Sequence, residues 1–238
     1  MKSVNTEFNG DWPPPGPLTP LAVLCSGGVD SAILLGEAIA RYPAVHPLYI
    51  RTGMFWEEAE CAHLVRFLEA IRTPSLRELT ILAQPIGDVY GSHWSVTGAG
   101  VPDENSLDEA VFLPGRNVLL LAKPLLWCHL NGVPEIATAP LQANPFPDAT
   151  PAFFAAFSAA INMAVEGAVT IIRPYAPLSK KAVIERGAGL PLQYTFSCIR
   201  PILGGHCGRC NKCAERQKGF REASVSDPTT YAFSRRME

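Results

Sequence analysis

The chain has 238 residues, of which 47% are hydrophobic and 18% are charged, and its formal net charge at pH 7 is -2. This length allows one sizeable core, and the composition is that of an ordinary globular protein. The small net charge argues against a protein that binds nucleic acid mainly by neutralising its phosphates. Residues 1–19 are polar and proline-rich. They lack the apolar stretch of a secretory signal, so we expect a loose N-terminal arm and a cytoplasmic protein.

Short apolar runs alternate with helical patterns along the rest of the chain. Such alternation is typical of an α/β protein with a Rossmann-like parallel sheet and helices on both faces. Ligands bind beyond the carboxyl ends of the strands in these sheets. The predicted elements are strand 21–25, helix 30–41, strand 45–50, helix 56–71, strand 78–83, helix 116–130, strand 135–139, helix 151–166, strand 168–172 and helix 179–187.

Two segments of this pattern need separate interpretation. The apolar stretch 152–169 contains Ser158, Asn162 and Glu166 at four-residue intervals. This spacing predicts an amphipathic helix with one wet face and excludes a membrane span. Residues 84–115 form an unusually long connection rich in glycine, serine, proline and acidic residues. Connections of this length are often functional, and we expect a mobile lid.

The segment that follows the first predicted strand has the composition of a phosphate-binding loop. Two consecutive glycines let the backbone approach an anion, and two serine hydroxyls and the start of the next helix can converge on it. The lysine of a Walker loop and the three-glycine dinucleotide pattern are both missing. Asp30 either caps the loop backbone or contacts a nucleotide or its magnesium. The candidate phosphate ligands are Ser26, Gly27, Gly28, Val29, Asp30 and Ser31.

A second cluster lies near the C-terminus, where four of the seven cysteines fall within sixteen residues. Cys207, Cys210 and Cys213 are spaced Cys-x2-Cys-x2-Cys, and Cys198 can return as a fourth ligand. Four thiolates suit a closed tetrahedral zinc site. Disulfides and an iron–sulfur cluster are the alternatives, but the chain has no secretory signal and lacks the cysteine–proline end of a ferredoxin run. His206 is a less favoured replacement for one thiolate.

The two motifs, in this order, resemble the 7-cyano-7-deazaguanine synthases of the queuosine pathway, within the N-type ATP pyrophosphatase (PP-loop) superfamily. Three further stretches match that family. Leu113-Pro114-Gly115-Arg116-Asn117 stands where the family has Val-Pro-Gly-Arg-Asn, residues 178–184 are similar to its Lys-Ala-Glu-Ile segment, and residues 213–220 are similar to its ending. The resemblance implies a PP-loop domain over 20–195 and a zinc-binding segment over 196–238.

The resemblance also implies a chemistry. In that family ATP and ammonia convert 7-carboxy-7-deazaguanine into the nitrile through an acyl-adenylate, and the zinc is structural. For this chain it implies ATP with Mg²⁺, structural Zn²⁺ and a homodimer.

The resemblance also assigns roles to single residues. It places Asp30, Arg116 and Lys181 in catalysis, with Lys180 as the neighbouring candidate for Lys181. It places Arg116, Asn117 and Asp148 at the substrate. A surface ion pair for Arg116, a free surface lysine at 181 and a turn at Asp148 are the structural alternatives.

Two stretches depart from the family pattern. The family's Tyr-Pro-Asp-Cys-Arg-Pro-Glu-Phe corresponds to residues 146–153, where Thr150 and Ala152 replace the arginine and the glutamate. Residues 49–53 replace its Tyr-Gly-Gln-Arg-His.

Because of these departures, two other functions stay open. One is a ligase that joins a deazapurine or other acid to a different amine, for which a protein amino group is one candidate. The other is a nonenzymatic nucleotide-binding or zinc-bearing interaction module, against which the intact phosphate loop speaks.

Overall fold

The structure is a computed structural model that describes Trp12, Gly16 and residues 18–233. The other residues of the expected N-terminal arm, and residues 234–238 of the expected zinc-binding segment, lie outside it. In chain order the elements are β1 (Leu21–Leu24), α1 (Val29–Arg41), β2 (Val45–Arg51), α2 (Glu57–Ala70), β3 (Thr80–Ala83), α3 (Gly87–Tyr90), α4 (Trp94–Thr97), α5 (Arg116–Leu130), β4 (Glu135–Ala137), α6 (Pro151–Val165), β5 (Thr170–Ile172), α7 (Lys180–Arg186) and α8 (Asn211–Glu222).

The five strands form one parallel sheet in the order β3-β2-β1-β4-β5. The central strand β1 pairs on both sides, with Leu21 opposite Val45 of β2 and Glu135 of β4. On one side of β1 the sheet continues with β2 and β3, and on the other side it continues with β4 and β5. The carboxyl end of β1 is therefore a topological switch point, which is where open α/β sheets bind ligands.

The sheet separates two apolar layers. Leu21 and Val23 of β1 face a layer built with α1, α2, α7 and α8, whereas Ala22 and Leu24 face a layer built with α5 and α6. All four β1 residues are buried, as expected for a central strand covered on both faces. The predicted α/β class with helices on both faces is confirmed.

Each of the ten predicted strands and helices is present, with ends that differ by two residues at most. Helix α8 was not predicted. It begins directly after Cys210, and its buried side includes Asn211, Arg216 and Gly219 beside Phe220. A helix that buries polar residues shows little apolar periodicity, so no sequence pattern indicates it.

Helix α6 begins as its sequence indicates, because the Thr150 hydroxyl accepts a hydrogen bond from Phe153 N at 3.2 Å and Pro151 occupies the first turn. The prediction of a wet face at Ser158 and Asn162 is wrong. Both side chains donate to the Val169 carbonyl, at 3.0 and 2.9 Å, and so hold the entry to β5. The exposed side carries alanines and Met163 instead. No helix among the described residues has the length and apolarity needed to cross a membrane.

The connection 84–115 contains α3, α4 and a 3-10 turn, and it is fastened to the cysteine segment. Glu104 N donates to the Arg209 carbonyl, and Asn211 N donates to the Pro102 carbonyl, both at 3.0 Å. The Asn211 side chain also donates to the Ser106 carbonyl at 3.0 Å. The segment expected as a lid thus packs against the four cysteines, and its buried residues share one apolar cluster with them. Its mobility stays a prediction.

Candidate active site

The predicted phosphate loop connects β1 to α1 and is ordered by its own serines. Ser26 N donates to Ser31 Oγ at 3.2 Å, and Ser31 Oγ donates to the Gly28 carbonyl at 3.1 Å. Gly28 is the N-cap of α1, and no side chain caps the helix. The first N–H groups of α1 are therefore free of a side-chain acceptor, which suits an anion at this end of the helix.

Two adjoining cavities, of about 280 and 220 Å³, open at the carboxyl ends of the strands. The first lies over β1, β2 and β4, and the second extends toward the cysteine segment. We call the place where they meet the junction. It is formed by nine residues that line both cavities: Ser26, Gly28, Asp30, Trp56, Glu60, Val111, Leu113, Arg116 and Lys212.

A chain of alternating charges runs from the phosphate loop along the second cavity. Lys180 Nζ lies 2.7 Å from Asp30 Oδ2 and 3.5 Å from Glu215 Oε1, and Lys212 Nζ lies 2.6 Å from Glu215 Oε2. Burial by itself raises the pKa of Glu215, but the two lysines outweigh it and hold the pKa at about 2. Burial lowers the pKa of Lys180, but Asp30 and Glu215 outweigh it and raise the pKa. Both groups are therefore charged at neutral pH.

The lysine beside the phosphate loop is Lys180 and not Lys181. Ser179 caps α7, and the next residue points at Asp30 and lines the second cavity. Lys181 lies outside both described cavities, with its side chain 54% exposed and its Nζ 3.8 Å from Glu185 one turn further on. The structure therefore places Lys180, and not Lys181, beside the phosphate loop, while the catalytic role that the resemblance implied stays a prediction.

Arg116 and Asn117 open α5 at the mouth of the first cavity. Asn117 N donates to Asp148 Oδ2, and Asn117 Nδ2 donates to the Asp148 carbonyl, both at 2.8 Å. Asp148 thus caps α5 and holds the guanidinium-bearing first turn in place, while still lining the first cavity. Arg116 lines both cavities, and its buried Nε has no hydrogen-bond partner among the described residues. An unpaired buried guanidinium nitrogen suits a bound carboxylate or phosphate.

Three residues of the site were missed by sequence reasoning: Tyr49, Trp56 and Glu60. Tyr49 OH donates to Glu60 Oε2 at 2.8 Å. Burial raises the pKa of Glu60 to about 7, outweighing the Arg116 charge and the Tyr49 hydrogen bond, which both lower it. Glu60 lies in the polar run Glu57-Glu58-Ala59-Glu60, where nothing in the sequence distinguishes one carboxyl from the others. The one sequence feature that could have indicated Glu60 is its position in the first turn of the helix after β2, near the carboxyl end of that strand.

Aromatic rings form flat walls in both cavities. Trp56, at the junction, stacks on Trp94 of the second cavity with ring centroids 5.8 Å apart. Phe146 of the first cavity stacks on Phe112 at 5.0 Å. Such walls suit planar heterocycles.

The cysteine cluster is tetrahedral in outline. The Sγ atoms of Cys198, Cys207, Cys210 and Cys213 all lie within 4.8 Å of one another, with Cys207–Cys213 at 3.9 Å and Cys198–Cys210 at 3.8 Å. A zinc ion with bonds of about 2.3 Å sets its sulfur ligands roughly 3.8 Å apart. No pair is bonded as a disulfide. His206 is not part of the cluster, since its Nε2 accepts from Ser197 N at 3.1 Å. The four predicted residues fit zinc.

Comparison with known proteins agrees with this geometry. The family model described as "Queuosine biosynthesis protein QueC" matches residues 21–224. The chain belongs to the QueC family. It is 35% identical over 229 residues to a 7-cyano-7-deazaguanine synthase of Solidesulfovibrio magneticus, covering 88% of this chain and 94% of the relative. For the synthases of Thiobacillus denitrificans and Anaeromyxobacter dehalogenans the identities are 34% and 33%, with 97% and 94% of the relative covered and 88% of this chain in both cases.

A structural likeness adds little to this assignment. A solved structure described as a predicted subunit of a tRNA methyltransferase from Methanocaldococcus jannaschii has a TM-score of 0.40 and 14% identity, over 70% of this chain and 74% of that chain. This likeness is too low to bear on function.

The departures from the QueC pattern fall in two different places. Thr150 caps α6 and Ala152 is exposed, and neither lines the two described cavities. Three other substituted positions, Ile50, Thr52 and Phe146, do line the first cavity. The site therefore differs from the family pattern in both segments.

Proposed function

We propose that this QueC family member uses ATP to adenylate 7-carboxy-7-deazaguanine, releases pyrophosphate, and aminates the adenylate with ammonia to give 7-cyano-7-deazaguanine in the cytoplasm. The observation that carries the proposal is the junction. It brings a phosphate loop, the unpaired Arg116 and two flat-walled cavities to one point. One cavity takes the nucleotide and the other the acid, so that the acid meets the α-phosphate where they join.

The residues at the junction and beside it supply positioning and charge. Ser26, Ser31 and the start of α1 bind the phosphates, and Lys180 neutralises pyrophosphate as it leaves. Arg116 holds the carboxylate of the acid or the α-phosphate. The aromatic walls orient the deazapurine ring. Adenylation makes the acid oxygen a good leaving group, ammonia displaces AMP, and a second adenylation of the amide permits dehydration to the nitrile.

Two metal ions fit the residues present. Asp30 Oδ1 is buried without a hydrogen-bond partner and suits Mg²⁺, which would supply positive charge to the phosphates. The four-cysteine cluster suits a structural Zn²⁺, because all four ligand positions are protein thiolates. The resemblance to the synthases also supports a homodimer, for which light scattering would give twice the chain mass of 25.7 kDa.

Pyrophosphate release with and without 7-carboxy-7-deazaguanine, followed by mass spectrometry, tests the function. The parent should release pyrophosphate only with the acid and form the nitrile when ammonium is present. The Ser26→Ala/Ser31→Ala variant should lose this release, whereas Ser92→Ala, an exposed serine outside both cavities, should keep it. Release from the double variant at the parental rate would contradict the role of the loop.

A second candidate is favoured by the positions Ile50, Thr52 and Phe146, which differ from the family pattern and line the first cavity. In this reading the chain adenylates the acid but joins it to another amine. Supplying ammonium would then give no nitrile, and a conjugate with the added amine or protein would appear in the mass spectrum.

A further inference from the structure

Glu60 is the carboxyl group at the junction that the mechanism above leaves unused. Two carboxyl residues line both cavities, Asp30 and Glu60. Asp30 is paired with Lys180 at 2.7 Å. Among the described ion pairs, none includes Glu60. Its Oε2 accepts from the Tyr49 hydroxyl, and its backbone packs against Gly27 of the phosphate loop.

The chemistry at the junction needs a proton acceptor. Ammonium has no free electron pair and cannot attack an acyl group until it loses a proton. The two cations at the junction, Arg116 and Lys212, cannot accept one, and Asp30 is neutralised by its lysine. We propose that Glu60 is the general base that deprotonates the attacking ammonium in the amination step. The inference rests on the proposed function and deepens it.

The Glu60 carboxylate takes one proton from ammonium, which leaves ammonia with a free electron pair. The pair forms the carbon–nitrogen bond, the bond from the acyl carbon to the AMP oxygen breaks, and AMP leaves with that electron pair. The nitrogen then sheds one proton to solvent. Glu60 returns its own proton to solvent and is a carboxylate again.

The groups that face Glu60 come from three elements. Tyr49 on β2 donates a hydrogen bond to it, Arg116 on α5 contributes positive charge, and Glu57 on its own helix contributes negative charge. Desolvation dominates these effects and sets the pKa of Glu60 at about 7. An effective general base has a pKa close to the working pH. The carboxylate form then predominates above pH 7, so amination should rise with pH through this range.

The test separates the two half-reactions in Glu60→Gln. ATP–pyrophosphate exchange with 7-carboxy-7-deazaguanine reports adenylation without ammonium, and amide formation with ammonium chloride reports amination. We expect exchange to be retained while amination at pH 7 falls by about 100-fold or more, the range of general base catalysis. Alkaline pH, which supplies free ammonia, should rescue the variant. Glu58→Gln changes an exposed neighbouring carboxyl and should behave as the parent.

Tyr49→Phe gives a graded test. It removes the hydrogen bond that lowers the pKa of Glu60, so the acid limb of the amination profile should move to higher pH. Infrared difference spectroscopy of the protein without substrates should show a protonated carboxyl band that titrates near pH 7 and is missing in Glu60→Gln.

The measurements distinguish failure of the base assignment from failure of the proposed function. An equal loss of exchange and amination in Glu60→Gln, or an unchanged amination profile, would overturn the base assignment alone. Absence of exchange in the parent would overturn the proposed function and this inference together, while the infrared band would still report the titration of Glu60.

Discussion

Gly27 and Gly28 are neighbours in the phosphate loop with different conformational needs. Gly27 has φ of 70°, in the left-handed region, and a Cβ there would lie 3.0 Å from the Glu60 carbonyl oxygen. Gly28 has φ of -70° and ψ of 162°, which any residue adopts, and a Cβ there would lie 3.4 Å from Ser26 Oγ. The first glycine is therefore required by the fold, whereas the second leaves room for the anion that we propose binds at this loop.

This difference predicts opposite results for two alanine variants. Gly27→Ala should lower the free energy of unfolding by about 1 to 2 kcal/mol, the cost of a left-handed alanine. Gly28→Ala should leave unfolding unchanged and weaken binding of an ATP analogue. Urea denaturation and calorimetry measure the two effects. Equal stability of both variants would show that the loop conformation is not as described.

Asp148 gives a second prediction at the scale of single residues. Asp148→Ala removes the acceptor for Asn117 N, so it should cost about 0.5 to 2 kcal/mol of stability, as other helix caps do. Asp148→Asn keeps an oxygen acceptor and should cost less. If the carboxylate also binds the deazapurine amino groups, both variants will bind the acid more weakly in calorimetry. If it acts only as a cap, Asp148→Asn will bind the acid normally.

At the scale of elements, α7 and α8 place the charged side chains of the second cavity beside the phosphate loop. Lys180 of α7 lies between Asp30 of α1 and Glu215 of α8. One residue along α7, Lys181 makes only an exposed pair with Glu185. Exposed pairs of this kind contribute little to stability. The orientation of α7 therefore decides which of two adjacent lysines faces the phosphate loop.

The two lysines are a matched pair for mutagenesis. Lys180→Met should slow adenylation strongly, since departing pyrophosphate loses its cation, and should destabilise the fold because Asp30 and Glu215 lose a partner. Lys181→Met should change neither property. Pyrophosphate release and urea denaturation provide the measurements. Reversed results would restore Lys181 as the functional lysine.

The cysteine segment supports the site through the connection 84–115. Its hydrogen bonds to residues 102–106 place the four-cysteine cluster and the wall of the cavities in one structural unit. Structural zinc contributes directly to folding. Loss of the metal should therefore loosen this wall.

Cys210→Ala should abolish binding of about one zinc per chain, measured by elemental analysis. Hydrogen exchange should quicken at residues 102–106 as well as 196–213. Cys61→Ala, a thiol outside the cluster, should keep the metal. Iron with sulfide in the parent protein would refute the zinc assignment.

At the scale of the whole molecule, the described N-terminal residue Trp12 closes one apolar layer. It is 8% exposed, and its Nε1 donates to Oε2 of the fully buried Glu37 at 2.9 Å. Part of the arm that composition alone marks as loose thus packs on the core. A buried carboxylate oxygen without its donor costs free energy.

Trp12→Phe should consequently lower the free energy of unfolding by about 1 to 3 kcal/mol, the cost of an unsatisfied buried polar group. Adding Glu37→Gln should recover only part of the loss, because the side chain left without the indole donor is then neutral but its ion pair with Arg186, at 3.8 Å, is lost as well. Urea denaturation of both single variants and the double variant completes the cycle. Full additivity would show that the two side chains do not interact.

The sequence by itself determined the five strands, the five helices that alternate with them and the two motifs, but not α3, α4 or α8. An apolar run such as Leu21–Leu24 that alternates with helical patterns is typical of a central strand in a parallel sheet, and a Gly-Gly loop before a helix suits an anion by its local backbone geometry. The spacing of Cys207, Cys210 and Cys213 is likewise local. These features depend on residues close together in the chain, so they can be identified without the fold.

Only the tertiary structure decided which polar residues come together around the two cavities. Lys180 rather than Lys181 faces Asp30, Asp148 caps α5, and Glu60 meets Tyr49 and Arg116, because elements far apart in sequence converge at the carboxyl ends of β1 and β2. Polar side chains carry no periodic signal that tells a cavity from solvent. Their burial, and with it the pKa of Glu60, is a property of the packed chain.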